Sequence, residues 1–258
     1  DIKRWFKQWA NHLRTTAAHP LVVAFSRRYP RLYRFLLLRF DPHHFRGLPL
    51  SLLLAGVALN VLVLSGLADE IKEVSRLRKA DLLLADFFYR HRSQWFGTFL
   101  YHFTRIGSSP IVLSLLGVLT MASVWRRRFH AWIAICTSLV FSTATAFIGK
   151  VYYQLPRPSH LAWYEEFSYS FPSGHATVSV AYYGILFYIL LHTVKSPAIR
   201  SAIRLFAVFF ILLIGFSRIY LCVHYLSDVM AGYAIGLLWF LFSAALLSWL
   251  DFRKEMRS

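Results

Sequence analysis

Apolar runs of membrane-spanning length alternate along this chain with short polar segments. The runs cover about 48–67, 110–124, 132–148, 173–192, 205–216 and 225–250. A helix needs about 20 predominantly apolar residues to cross a bilayer core. The pattern therefore predicts an all-α polytopic membrane protein, with six transmembrane helices in one bundle over 48–252. A basic segment, 1–47, precedes the bundle and a short cytoplasmic tail, 253–258, follows it. Between the first two runs lies a mixed stretch, 69–109. Its piece 82–89 is amphipathic. Its piece 94–104 is aromatic but short, so it is expected at the membrane interface rather than across it.

Composition sharpens this picture. Of 258 residues, 57% are hydrophobic, against about 45–50% in an ordinary soluble domain. The formal charge of +17 would elsewhere point to nucleic acid. Here Lys and Arg flank the apolar runs, as in cytoplasmic loops of membrane proteins, so no nucleic-acid partner is expected. Ten Lys and Arg crowd into 1–47, interleaved with aromatics and broken by Pro20, Pro30 and Pro42. Two readings fit that segment: interfacial helices on an anionic lipid surface, or a solvated linker to an upstream domain. A start at Asp1 rather than Met reads as a piece of a longer protein or a processed form. Cys136 and Cys222 lie in or beside apolar runs and are expected as small buried hydrophobes.

The positive-inside rule sets the expected topology. The N-terminal segment, the Arg126–Arg127–Arg128 loop, the basic loop 195–204 and the C-terminus alternate so as to share the cytoplasmic face. The loop 151–172 and the turn 219–223 fall outside. The stretch 69–109 also falls outside despite its seven basic residues, Lys72, Arg76, Arg78, Lys79, Arg90, Arg92 and Arg105.

Three motifs meet on that outer face: Lys150 with Arg157–Pro158, Pro172–Ser173–Gly174–His175, and Ser217–Arg218 with His224 and Asp228. Lys150 ends the third run, His175 opens the fourth, Arg218 ends the fifth and His224 opens the sixth. Lone cations at helix ends are ordinary snorkelling anchors; this convergence is not explained that way. Lys150, Arg157 and Arg218 can clamp a tetrahedral dianion. The Pro-Ser-Gly-His stretch starts a helix, whose free N–H groups favour an anion. Ser173 is expected as N-cap or hydroxyl donor, and Gly174 as a place where backbone approaches phosphate closely. His224 and Asp228, four apart, suit a nucleophile and its orienter. His175 suits a general acid. The residues do not by themselves assign which histidine attacks; the Asp spacing favours His224. Glu165 and Glu166 have no His or Asp companion. They are expected as solvated loop charges, and no catalytic metal or other cofactor is expected.

These motifs resemble the signature of the type 2 phosphatidic acid phosphatase (PAP2) superfamily, from Lys150 to Asp228 with every signature position present. The resemblance implies a helical bundle and a metal-independent phosphatase. It implies that His224 forms a phosphohistidine, that Asp228 orients it and that His175 protonates the leaving group. Lys150, Arg157, Ser173, Gly174 and Arg218 would hold phosphate. The basic N-terminal region weakly resembles bacterial proteins in which such a phosphatase follows a DedA-type domain.

A site on the outer face ringed by aromatics should meet lipid headgroups. By family analogy the expected substrate is an isoprenoid pyrophosphate such as undecaprenyl pyrophosphate, at a bacterial inner membrane with the site facing the periplasm. Alternatives are phosphatidate or phosphatidylglycerophosphate, and lipid A phosphate. A lipid transporter or flippase is the reading from another class, but it predicts matching broken halves, which the chain lacks.

Overall fold

A computed structural model describes residues 8, 19–30, 33, 48–72 and 76–255. The described residues are helical apart from turns and loops, without strands. Two compact units divide the chain: residues 1–59 with 244–258, and residues 60–243. The site lies wholly in the second.

Most of the basic segment 1–47 lies outside the described residues. Within it, α1 (Pro20–Arg28) is a helix with Pro at its start and Arg27 and Arg28 in its last turn. Those positions suit a fixed proline φ and the negative end of the helix dipole. Helix α2 (Leu48–Lys72) covers the first predicted run and extends past it. In the first unit the Arg253 guanidinium lies over the Trp249 ring, 5.0 Å from its centroid.

The second unit continues with α3 (Arg76–His91), α4 (Gln94–Thr104), α5 (Ser109–Trp125) and α6 (Phe129–Tyr153). The chain then crosses a long loop to α7 (Gly174–Val178) and α8 (Gly184–Thr193), followed by α9 (Pro197–Tyr220) and α10 (Leu226–Glu255). A π-helical turn, Ser179–Tyr183, joins α7 to α8, so 174–193 is one interrupted rod. Such turns often sit beside functional sites.

Four described helices are long and apolar enough to cross a membrane: Phe129–Tyr153, Gly174–Thr193, Pro197–Tyr220 and Leu226–Asp251. A fifth span is available if Gln94–Gly107 and Ser109–Trp125, bent by 44°, count as one broken span. Two expectations change here. The aromatic piece 94–104 is a helix that the 3-10 turn Arg105–Gly107 joins to Ser109–Trp125 at a 44° bend, rather than an isolated one. The basic loop 195–204 is largely helix, because Pro197 starts α9 at once and Arg200 and Arg204 occupy its first turns. The first predicted run retains a shorter apolar stretch, Leu54–Gly66, so six spans exceed what the described helices supply.

Small residues set the packing around the site. A Cβ on Gly232 would lie 2.6 Å from the Ser173 carbonyl oxygen, and one on Gly236 the same distance from that of Thr177. The two glycines, four apart on α10, let it touch the backbone of 173–180, as small residues do in membrane helix pairs. Asn60 donates to the Ala234 carbonyl at 3.3 Å, while its Oδ1 makes no hydrogen bond. Cys136 and Cys222 are unpaired thiols, half-buried and buried respectively.

Candidate active site

The turn after α9 places the His224 imidazole. Cys222 takes a left-handed φ of 52°, and the N–H groups of Val223 and His224 both donate to the Arg218 carbonyl at 3.2 Å. The chain thereby reverses within five residues, and His224 sits just before α10 rather than on it. Its ring is 2% exposed.

Asp228 works in two directions. Its Oδ2 accepts the Tyr225 N–H at 2.8 Å, closing the first turn of α10 as an acidic N3 residue does in a capping box. The same oxygen lies 3.3 Å from His224 Nδ1. Ser170, from the long loop, donates its hydroxyl to Asp228, with its Oγ 3.4 Å from Nδ1. On the other side of the ring, Arg157 Nη1 lies 3.1 Å from Nε2.

The loop is fastened around Arg157. Its Nε donates to the Ser168 carbonyl at 2.6 Å, and Nη1 donates to the Val223 carbonyl at 2.7 Å. Lys150, in the last turn of α6, donates Nζ to the carbonyls of Tyr169 and, at 3.5 Å, Ser170. The Ser173 N–H donates to the Asp228 carbonyl at 3.0 Å. These bonds draw 150, 157, 173, 224 and 228 to one place, as the motif spacing predicts.

Arg218 is fully buried. It donates to the Tyr164 hydroxyl and to Glu166 Oε1. The other oxygen of Glu166 pairs with Arg157 Nη2 at 2.9 Å. Glu166 is therefore no solvated loop charge: its carboxylate bridges the two arginines expected to hold phosphate. Glu165 shows no comparable pairing. Burial alone would push the Glu166 carboxyl up, but the Arg218 and Arg157 guanidiniums outweigh it and hold it below the ordinary carboxylate range. The Tyr164 hydroxyl is pushed up, by burial first, and remains a donor at neutral pH.

Several groups keep unused capacity. Ser173 stands at the N-cap of α7, yet its hydroxyl caps nothing. Its Oγ and the Nε of Arg218 are buried without a hydrogen-bond partner. Buried polar atoms are rarely left so in a finished structure. An added Cβ on Gly174 would meet no protein atom within 4 Å. The His175 ring packs against Gly107, where an added Cβ would lie 3.0 Å from Cδ2. The His224 ring is held well below the ordinary imidazole range, by burial first and then by Arg157, Arg218, Lys150 and His175. It is neutral at pH 7 and keeps a lone pair. Among the described residues no group of three or more His, Cys, Asp or Glu is placed to hold a metal ion.

Four participants escape the motifs: Tyr164, Glu166, Ser170 and Asp81. Asp81 comes from α3 and is 1% exposed. It accepts the Ser227 N–H at 3.0 Å and the Ser227 hydroxyl. Arg78, one turn earlier, lies 4.5 Å from the Tyr225 ring centroid. The start of α10 is thus gripped by a helix from far upstream. The sequence cue is an acid immediately before the amphipathic piece 82–89.

Residues 131–252 match a family model described as PAP2 superfamily. Phosphatidylglycerophosphatase B of Bacillus subtilis (strain 168) is 29% identical over 152 residues, which are 58% of this chain and 74% of that protein. The transmembrane PAP2 type phosphatidylglycerolphosphate phosphatase from Bacillus subtilis superposes with a TM-score of 0.63 at 24% identity, over 76% of this chain and 93% of that one. LpxE of Aquifex aeolicus gives a TM-score of 0.51 at 24% identity, over 63% and 93%. The two likenesses speak for the fold.

Proposed function

We propose that the chain, whose residues 131–252 match the PAP2 superfamily, is a membrane phosphoric-ester hydrolase that cleaves lipid phosphate esters through a phosphohistidine on His224. The observation that carries this reading is the pairing of the His224 ring. Arg157 faces Nε2, and a guanidinium has only donors, so Nε2 is the acceptor and holds the lone pair. Nδ1 then carries the proton and donates a hydrogen bond to Asp228.

In the first step Nε2 attacks phosphorus, a P–N bond forms and the bond to the leaving oxygen breaks. His175, as imidazolium, gives that oxygen its proton; the dianion beside it favours the charged ring. In the second step His175, now neutral, takes a proton from water. The water oxygen attacks phosphorus, the P–N bond breaks, and inorganic phosphate and free His224 return. Lys150, Arg157 and Arg218 offset charge on the equatorial oxygens. Ser173 Oγ and Arg218 Nε supply the remaining donors. This cation set does the work a metal does elsewhere, and we propose a metal-independent reaction.

The substrate reading moves from the isoprenoid pyrophosphate first expected toward a glycerolipid phosphate monoester such as phosphatidylglycerophosphate. The sequence match to phosphatidylglycerophosphatase B supports it. Isoprenoid pyrophosphate is the second choice. The proposed setting is a bacterial inner membrane with six spans, counting α2 and the bent pair, and the site facing outward. The basic segment 1–47 is proposed to lie on an anionic lipid surface.

The test is release of inorganic phosphate by the detergent-solubilised protein. The panel holds phosphatidylglycerophosphate, phosphatidate, lipid A phosphate and undecaprenyl pyrophosphate. Turnover of at least one, abolished in His224→Ala, is expected. No release from any of them overturns the reading.

A further inference from the structure

We propose that Glu166 is a positioning residue that occupies the phosphate clamp as a built-in anion and exchanges with phosphate in every catalytic cycle. The inference rests on reading Arg157 and Arg218 as the phosphate clamp.

The geometry is that of a substrate mimic. A carboxylate offers two oxygens, and here each meets a different guanidinium: Oε2 with Arg157 at 2.9 Å, Oε1 with Arg218. Tyr164 donates to the same Oε1 at 3.2 Å. Bound phosphate would seek these same donors. With side-chain exposures of 0% for Arg218 and 6% for Arg157, neither guanidinium can turn to bulk water. Two buried like charges left without an anion would repel and splay apart. Glu166 keeps them convergent while no phosphate is bound.

The same carboxylate is built to leave. Its side chain is 23% exposed, so it has a route to solvent that the arginines lack. It sits on a loop rather than a helix. It also fits the site incompletely, since Ser173 Oγ and Arg218 Nε stay without partners while it is bound. A phosphoryl group has three non-bridging oxygens and a second negative charge, so it can use those donors as well. Phosphate therefore displaces Glu166 on entering, and Glu166 displaces product phosphate on leaving. No acid or base role is needed: the Arg pair holds the carboxyl ionised throughout the neutral range.

An internal competitor has a distinctive signature. It weakens every anion that needs the clamp by one common factor, because each must first expel the same carboxylate. A ligand to substrate would instead strengthen binding, and a purely structural residue would leave the affinities alone. The experiment compares the full chain in detergent with Glu166→Gln, which keeps the shape and one acceptor but not the charge. Competitive Ki values for inorganic phosphate and for sulfate are measured against a hydrolysed lipid phosphate. Both should fall by the same factor, about tenfold, equivalent to ~1.4 kcal/mol. Glu166→Asp should fall between the two. The anion-induced rise in thermal midpoint needs no turnover, and should be larger in Glu166→Gln than in wild type.

Unchanged or higher Ki values in Glu166→Gln overturn the proposal, as do factors that differ between the anions. If Glu166→Gln folds poorly, phosphate must stabilise it more than it stabilises wild type; no such rescue counts against the exchange. A wild-type protein whose midpoint responds to phosphate but which hydrolyses no lipid phosphate would sink the functional reading and leave this one standing.

Discussion

Arg157 Nη1 and His224 Nε2 lie 3.1 Å apart, and this pairing fixes the tautomer of a ring buried beneath it. Nitrogen-15 NMR of ring-labelled protein, with His224→Ala for assignment, should show a neutral ring at pH 6.5 with the proton on Nδ1. The sign follows from burial and three nearby cations, which hold the folded pKa well below its value of about 6.5 in an unfolded chain. Between those two values the unfolded chain binds more protons, so stability rises with pH and this contribution is complete above about 6.5. An imidazolium at pH 6.5, or a proton on Nε2, would refute the nucleophile assignment.

Asp81 holds the first turn of α10 from outside the segment that matches the family. Asp81→Ala leaves the Ser227 N–H and hydroxyl unpaired in a buried site, which costs about 1–3 kcal/mol. A lower thermal midpoint and a reduced kcat are expected, with KM little changed, because Ser227 lies between His224 and Asp228 and not at the proposed phosphate clamp. Asp81→Asn keeps an acceptor and should recover most of both. Equal losses in Asn and Ala would show that the charge, and not the hydrogen bonds, is what α3 supplies.

The limits of sequence reading follow the same division. Lys150, His175, Arg218 and His224 were legible as candidates because each is a costly residue at the end of an apolar run, with four such ends on one expected face. Glu166 was not, because a lone acid in a loop has the same pattern whether it is solvated or clasped by two arginines. Asp81 and Ser170 act across 146 and 58 residues of chain, and no periodicity reports a contact of that kind. The length of the piece 94–104 did not show that it continues past a 44° bend into the next apolar helix. The start of α9 was misjudged on charge. Arg200 and Arg204 look like a loop, yet Pro197 at the helix start outweighs them.

Gly232 tests the close contact that seats the Pro-Ser-Gly-His stretch. Valine there places its Cβ 2.6 Å from the Ser173 oxygen and 2.9 Å from the Ala176 Cβ. Overpacking of this kind costs about 1–3 kcal/mol. Turnover should fall at least tenfold, as a displacement near 1 Å at a reacting group can cost 10²-fold. Gly117→Val, where an added Cβ meets nothing within 4 Å, is the control and should behave as wild type. Normal turnover in Gly232→Val would mean that α10 does not abut the strand of chain carrying His175.

Chelation separates a cation clamp from a metal centre. In the proposed reaction Lys150, Arg157 and Arg218 offset the charge on the transferring group, so EDTA should leave the rate unchanged. Arg218→Lys, which keeps one charge but loses the planar fork, should lower kcat/KM by about 10²-fold, on the scale of losing one transition-state donor. Inhibition by EDTA that added Mg²⁺ reverses would overturn the metal-free reading.

Loop charge sets the expected orientation of the site. Arg126, Arg127 and Arg128 lie at the opposite end of α6 from Lys150, and short loops rich in Arg stay in the cytoplasm. If 126–128 is inside, one crossing carries Lys150 and the loop 154–173 to the other surface. Phe167 is 96% exposed, so Phe167→Cys, with Cys136 and Cys222 replaced by Ala, gives a thiol at the tip of that loop. A membrane-impermeant maleimide should label it in intact cells. A thiol added at Arg127, on the far side of α6, should react only after the cells are opened. The reverse pattern would turn the protein over in the membrane and deliver its substrates from the cytoplasmic leaflet.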